Sequence, residues 1–223
     1  RALPVTAELA LFGVIVGLLI AIPVGVMSAA RQDTFGDYAG RLFAIIGLSV
    51  PNFWLASMAI LYLSLWFQWL PPLVYRSPFE SFGGNLAQYA FPSLILGFSL
   101  CATIMRMTRS SMLEVLRQDY IRTARAKGLQ ERIMFTRHAL KNAAIPILTI
   151  VGNQFGNLLG GTIIIEYIFG LPGLGGMTLD AIDHRDYPML QGVVLFGAAV
   201  LILTNLLIDL SYAWLDPRIR YGD

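Results

Sequence analysis

The residues of this chain most suited to binding a partner are charged, and they form a basic segment between long apolar runs. From Arg106 to Lys141 this segment holds nine Lys or Arg side chains against three Asp or Glu. Clustered cations of this kind attract anionic surfaces, either on a protein partner or on lipid headgroups. The segment is therefore a candidate for docking and not for catalysis.

Other reactive residue types are sparse. Cys101 is the single cysteine, so no intrachain disulfide can form, and its apolar neighbours favour a packing role. The glycine run Gly170–Gly176 lacks the Lys-Ser/Thr that follows a phosphate-binding loop, and it predicts a tight turn or a re-entrant piece. An acidic loop matches no metal-ligand spacing, so no metal site is predicted and contact with a partner protein is preferred. Its members are Asp180, Asp183, His184 and Asp186.

The composition requires a membrane around these residues. Of 223 residues, 56% are hydrophobic and only 13% are charged, which is too few charges to cover a water-facing surface. Five stretches are long and apolar enough to span a bilayer, at about 8–30, 42–70, 84–107, 142–166 and 187–210. The predicted fold is an all-α, polytopic transmembrane bundle, one domain over 1–223, with a cytoplasmic helical insert at about 108–141.

The distribution of basic residues predicts the orientation of these spans. If the insert is cytoplasmic, the loop at 31–41 and the tail with Arg218 and Arg220 fall on the same side. Thirteen of the sixteen basic residues then lie in the cytoplasm. The N-terminal end of this chain is therefore expected outside, and its C-terminal end inside.

Small and polar residues within the spans predict where helices meet. Gly13 and Gly17, and Gly152 and Gly156 with Gly160 and Gly161, favour ordinary helix packing over a dimer-specific face. Pro51, Pro92 and Pro146 are expected to be tolerated in the spans, with Pro146 in the first turn of its helix. The polar residues of the spans can serve either as packing contacts or as the lining of an aqueous path, and they are Asn52, Asn153, Gln154, Asn157 and Asn205. An Arg partner on a neighbouring helix is expected for Asp209.

The insert itself has a helical pattern. Ser111 to Glu114 could form a capping box, or Ser111 could belong to a helix that continues from the third span. One apolar stripe is predicted from Leu113, Leu116, Tyr120 and Ala124. Gly128 predicts a left-handed helix end, and Glu131–Asn142 predicts a second helix. A helix, a glycine turn and a helix suit a partner's groove better than lipid alone, which requires no such turn.

Several of these stretches resemble one family. Asp119–Gly128, His138–Asn142 and Ile145-Pro146 resemble the signature loop of ATP-binding-cassette importer permeases, in the dipeptide, oligopeptide and nickel branch. Gly128 and Ala124 match the glycine and the second alanine of that loop, while Arg122 and Thr123 replace its Glu and first Ala. His138 and Leu140 take its Ile and Leu places, and Lys141 replaces its Pro. Three further stretches are similar to that branch, namely Phe169–Gly175, Arg185–Pro188 and Asp216–Arg220.

The resemblance implies a function and partners. The chain would be a permease subunit of a binding-protein-dependent importer in a bacterial or archaeal cell membrane, with a type I importer fold. Di- or oligopeptides are the implied substrate, with nickel chelates or glutathione as alternatives. Implied partners are a second, different permease, two cytoplasmic ATPases that bind ATP and magnesium, and an extracytoplasmic solute-binding protein. This chain would hold no cofactor and catalyse no reaction, and a first helix and an outer domain would precede it.

The resemblance also implies site residues. The ATPase-coupling loop would comprise Tyr120, Arg122, Thr123, Ala124, Lys127, Gly128, Leu129 and His138. Two other classes of protein remain as alternatives. An ion-driven secondary transporter requires buried Asp, Glu or His in the middle of spans, and none is predicted. An intramembrane enzyme requires reactive groups at depth, and neither His138 nor His184 lies in a span.

Overall fold

The computed structural model describes residues 2–72 and 74–215, with the side chains of 159–161 and 212–215 outside that description. Within these ranges the chain is helical, without strands. The helices are α1 Ala2–Ala30, α2 Phe35–Ser49, α3 Asn52–Phe67, α4 Phe82–Leu116, α5 Asp119–Ala126, α6 Glu131–Ile133, a π-helical turn Met134–Ala139, α7 Leu140–Gly161, α8 Ile163–Phe169, α9 Leu174–Asp183 and α10 Tyr187–Leu215.

The helix lengths agree with five candidate spans. Among residues 2–72 and 74–215, three helices are each long and apolar enough to cross a membrane, namely α1, α4 and α10. Two bent pairs pass the same test, α2 with α3 at 92° and Glu131–Leu158 with α8 at 58°. The all-α bundle is thus confirmed, although α1 begins at Ala2 and α4 continues to Leu116, beyond the predicted span ends.

The centre of the fold is the parallel pair α1 and α4. Gly13 faces Leu96 and Gly17 faces Leu100, and a Cβ on either glycine would lie 3.2 Å from its neighbour's Cβ. Farther along the same pair, a Cβ on Gly25 would lie 2.7 Å from the Cβ of Thr108. The small residues therefore serve helix packing inside the chain, as predicted. Because the helices run parallel, both end at the same end of the bundle, beside α5, and we call this the insert end.

The prolines follow the sequence prediction in part, since Pro92 lies inside α4 as expected. Pro51 does not lie within a helix, because Val50 and Pro51 are extended and separate α2 from α3. The prediction that Pro146 occupies a first helical turn is wrong, since the helical path begins at Glu131 and Pro146 lies inside α7. A proline inside a helix removes one backbone hydrogen bond, and neighbouring helices in a bundle make this tolerable.

At the opposite end, the loop between α3 and α4 is fastened to α1. Asn85 donates from Nδ2 to Glu8 Oε2 at 3.0 Å and to the Arg76 carbonyl at 2.9 Å. The Tyr75 hydroxyl donates to Glu8 Oε1 at 3.1 Å. Burial, together with the Glu8 carboxylate, raises the pKa of Tyr75 to about 12, so this hydroxyl remains a donor at neutral pH.

Candidate coupling surface and buried charge clusters

The first arm of the insert is a short helix with one buried anchor. Gln118 is extended, with φ −71° and ψ 149°, and α5 begins after it. Ile121 is fully buried in the same apolar cluster as Met112 and Met134. The predicted continuous stripe is wrong, because the chain breaks between α4 and α5 and leaves Tyr120 44% exposed. Ser111 lies inside α4, so the helix continues from the third span and no capping box starts there.

Gly128 forms the turn that follows. Its φ is +78°, in the left-handed region where a side chain is strained, as the sequence predicts. The Gly128 N–H donates to the Arg125 carbonyl at 3.0 Å, and the Leu129 N–H donates to the Ala124 carbonyl at 3.2 Å. A Cβ on Gly128 would meet no atom within 4 Å. The requirement for glycine is therefore conformational and not steric.

The second arm runs through a π-helical turn into α7. His138 lies in this turn, and π-helical turns are frequent at functional sites. Asn142, in the first turn of α7, donates from Nδ2 to the Tyr120 hydroxyl at 2.7 Å and to the His138 carbonyl at 2.9 Å. One amide thus connects the first arm to the second, and both to a membrane-spanning helix.

The predicted coupling residues lie close together on this insert. Ala124 and Leu129 are half-buried, and the other six are exposed, namely Tyr120, Arg122, Thr123, Lys127, Gly128 and His138. The Arg122 to Asp119 ion pair, at 3.4 Å, is fully solvated and contributes little to stability. The exposed cations of the insert are therefore available to a partner.

The predicted path residues do not form one cluster. Asn153 and Asn157 are exposed on one face of α7, and Gln154 beside them is half-buried. Asn142 and Thr149 share that face by helical spacing, which produces a polar stripe along an otherwise apolar helix. Asn52 is separate, at the first residue of α3, and its Oδ1 is buried without a hydrogen-bond partner among the described residues.

A buried charge cluster at the insert end was not predicted. The Asp37 side chain is 0% exposed and receives two hydrogen bonds from Arg109, from Nε at 2.7 Å and from Nη2 at 2.8 Å. Arg41, Ser28 and the Asp33 backbone N–H also donate to this carboxylate. The cluster joins α1, α2 and α4. The spacing of Asp37 and Arg41 was a visible signal, but nothing in the sequence indicated Arg109.

A second buried carboxylate lies at the opposite end. Glu166 of α8 is 0% exposed, and its Oε1 accepts hydrogen bonds from Thr6 at 2.6 Å and Thr162 at 2.7 Å. Its Oε2 accepts the Gly175 N–H at 2.7 Å. The sequence analysis expected no buried acid in the middle of a span. Asp37 and Glu166 both lie near the ends of spans, which agrees with that expectation.

The predicted acidic loop is formed by the end of α9, which holds Asp180 and Asp183, and by the turn that follows, and its members have structural uses. His184 Nδ1 lies 2.8 Å from the Asp180 carbonyl, and Asp186 Oδ1 accepts the Met189 N–H at 3.1 Å, in the first turn of α10. No group of three or more His, Cys, Asp or Glu residues in the described part of the chain could hold a metal. Asp209 is exposed, and within residues 2–72 and 74–215 no ion pair forms to it, so its Arg partner stays a prediction. Arg218, Arg220 and the Asp216–Arg220 stretch lie outside the described residues, and the packing predicted for Gly160 and Gly161 also lies outside what the structure describes.

Solved structures with the same fold are membrane transporters. The inward-facing MetNI methionine ABC transporter superimposes with a TM-score of 0.75 at 17% identity, over 97% of this chain and 95% of that chain. An amino acid ABC transporter with histidines gives a TM-score of 0.64 at 17% identity, over 94% and 90%. At such low identity, the likeness shows the fold alone.

Sequence relatives are closer. A dipeptide transport system permease protein of Alkalihalophilus pseudofirmus is 41% identical, over 98% of this chain and 72% of its own length. A protein of the same description from Bacillus subtilis is 38% identical, over 99% and 69%. A putative peptide transport system permease protein of Brucella abortus is 42% identical, over 98% and 70%. The family described as binding-protein-dependent transport system inner membrane component matches residues 21–221. This chain belongs to that family.

Proposed function

We propose that this chain is the membrane-spanning subunit of an ATP-driven, binding-protein-dependent importer of di- or oligopeptides. The observation that carries the proposal is the exposed basic pair of helical arms around Gly128, in a chain of this family. Relatives described as dipeptide or peptide permeases support peptides as the substrate class. The chain itself would supply the path, while partner ATPases would bind ATP and magnesium.

The insert is proposed to dock in a groove of a cytoplasmic ATPase. Its exposed cations and its fixed glycine turn suit recognition by shape and charge. Ile121 holds α5 against the bundle, and the Tyr120 to Asn142 hydrogen bond ties α5 to α7. Movement of the docked ATPase would therefore be transmitted to α7 through these contacts and would not be absorbed by a flexible loop. Two alternative packings of the bundle, biased by nucleotide, would then give alternating access.

The polar face of α7 is proposed to line the translocation path with a second permease subunit. Asn153 and Asn157 are exposed in the part of α7 that is mostly apolar, and amides in lipid would be unfavourable. An aqueous path would satisfy them and offer hydrogen bonds to peptide groups. In this arrangement the insert end lies in the cytoplasm and the Glu8 end faces the solute-binding protein, in a bacterial or archaeal cell membrane.

Reconstitution tests this proposal. The full-length protein, its neighbouring permease, the ATPases and the binding protein would be placed in proteoliposomes, and peptide uptake and ATP hydrolysis measured together. Uptake coupled to hydrolysis is expected. Coupled hydrolysis without a response to peptides would reassign the substrate to nickel chelates or glutathione. Absence of ATPase association would overturn the coupling assignment and favour an ion-driven transporter.

A matched pair of variants sharpens the test. Arg122→Glu reverses an exposed charge on the insert, and Arg76→Glu reverses an exposed charge at the opposite end. We expect the first variant to lose ATPase co-purification and the second to retain it. Equal retention in both variants would contradict docking through the insert.

A further inference from the structure

The glycine run that follows α8 donates a backbone hydrogen bond to a carboxylate of the same chain, Glu166. In phosphate-binding loops, the backbone N–H groups at a helix start hold an anionic ligand. Here the anion is the Glu166 carboxylate, whose Oε2 accepts the Gly175 N–H at 2.7 Å in the first turn of α9. The Leu174 N–H is directed to the Thr6 hydroxyl at 2.9 Å, and this hydroxyl donates to Glu166 at 2.6 Å.

Space explains why this run contains glycines. Gly173 has φ −98°, a value that any residue adopts, so its backbone does not require glycine. A Cβ on Gly173 would instead lie 2.3 Å from Glu166 Oε2 and 2.6 Å from Thr6 Oγ1. A Cβ on Gly175 would lie 2.5 Å from the Ile163 Cα. The run is therefore shaped around the carboxylate.

The surroundings make these hydrogen bonds strong. Glu166, Thr6 and Thr162 are at most 1% exposed, and the neighbouring buried side chains are apolar, among them Val5 and Phe169. No ion pair to Glu166 forms in the part of the chain that the structure describes. Its charge is balanced by two hydroxyl groups, one backbone N–H and the positive end of α9, in surroundings of low polarity.

We propose that Glu166 is a positioning residue that fixes the starts of α1, α8 and α9 as one rigid unit. This end of the translocation path then opens by movement of the whole unit and not by separation of α9 from α1. The rigid unit itself follows from the contacts above, whereas its part in transport rests on the proposed function.

The first test concerns the unit alone, in the complete reconstituted transporter. Hydrogen exchange at the Leu174 and Gly175 amides is expected to be slow in the wild type and in Thr6→Ser, which keeps the hydroxyl. Exchange at Leu174 is expected to accelerate in Thr6→Val, which keeps the shape but not the acceptor. Fast exchange in the wild type, or equal exchange in both variants, would overturn the proposal whatever the protein transports.

The second test separates positioning from folding. Thr6→Val removes two of these hydrogen bonds and Glu166→Leu removes three. In both variants we expect substrate uptake per ATP hydrolysed to fall by about tenfold or more, since each bond contributes up to about that factor. Assembly with the ATPases should persist, and Thr6→Ser and the exposed control Glu80→Gln should retain uptake. An equal loss of assembly and uptake would assign Glu166 a purely structural role and overturn its positioning role.

A crosslink tests rigidity directly. Thr6→Cys with Leu174→Cys replaces the hydrogen bond with a reducible disulfide between α1 and α9. If the unit is rigid, the oxidised protein transports and the reduced protein shows the Thr6→Val defect. Transport that is blocked by oxidation and restored by reduction would show that α1 and α9 must separate, and would overturn the proposal. A last outcome separates the two proposals. If the ATPases fail to associate while the Leu174 and Gly175 amides still exchange slowly, the proposed function is wrong, but the rigid unit formed by the starts of α1, α8 and α9 is supported.

Discussion

Removal of the Asp37 charge tests the cluster at the insert end. In Asp37→Asn, the guanidinium of Arg109 loses its bidentate partner, and an amide N–H replaces one of the two acceptor oxygens. Loss of one member of a buried ion pair costs about 3–5 kcal/mol. The Arg109 side chain is 18% exposed and that of Arg41 is 38% exposed, so both regain some water. We therefore expect a loss at the lower limit, about 3 kcal/mol.

Thermal unfolding of the detergent-solubilised protein measures this loss. For a chain of this length, about 3 kcal/mol lowers the midpoint temperature by roughly 6–12 °C. Asp33→Asn is the matched control, because Asp33 pairs with the same Arg41 but is 64% exposed, and an exposed pair contributes little. The double variant Asp37→Asn with Arg109→Gln should recover part of the loss, because it removes both charges.

Either of two results would refute this reasoning. If Asp37→Asn unfolds at the same temperature as Asp33→Asn, the Asp37 carboxylate is not desolvated as the structure indicates. If the double variant is as unstable as the sum of its single variants, Asp37 and Arg109 do not interact.

Three further predictions concern the insert and the path. Gly128→Asp should leave membrane insertion intact and weaken ATPase co-purification, because a side chain is strained at φ +78°; wild-type co-purification would argue against the coupling role. Tyr120→Phe keeps the ring and removes the acceptor of the Asn142 hydrogen bond, so uptake per ATP hydrolysed should fall while the complex still assembles; an unchanged ratio would show that this bond transmits nothing. Asn157→Leu should lower peptide uptake with little effect on the unfolding temperature, since the side chain is exposed; unchanged uptake would remove Asn157 from the path.

The sequence determined the features that depend on neighbouring residues. Uncharged apolar runs predict spanning helices, because a backbone in lipid must satisfy its own hydrogen bonds. Gly128 predicts a left-handed turn because the residue lacks a Cβ, and the structure confirms it at φ +78°. The resemblance of the stretch around Gly128 to importer permeases is confirmed by the match of the family to residues 21–221. The roles of the coupling and path residues stay predictions.

Only the tertiary structure decided which distant residues meet. Arg109 binds Asp37 from 72 residues away, and Thr6 binds Glu166 from 160 residues away. Whether a carboxylate is buried and paired depends on which helix faces come together, and one helix's periodicity does not contain that information. The 92° bend at Pro51 was also undetermined, because a proline can kink a helix or separate two helices. The sequence thus determined which segments enter the membrane, and the packing of those segments determined which side chains pair with the buried carboxylates.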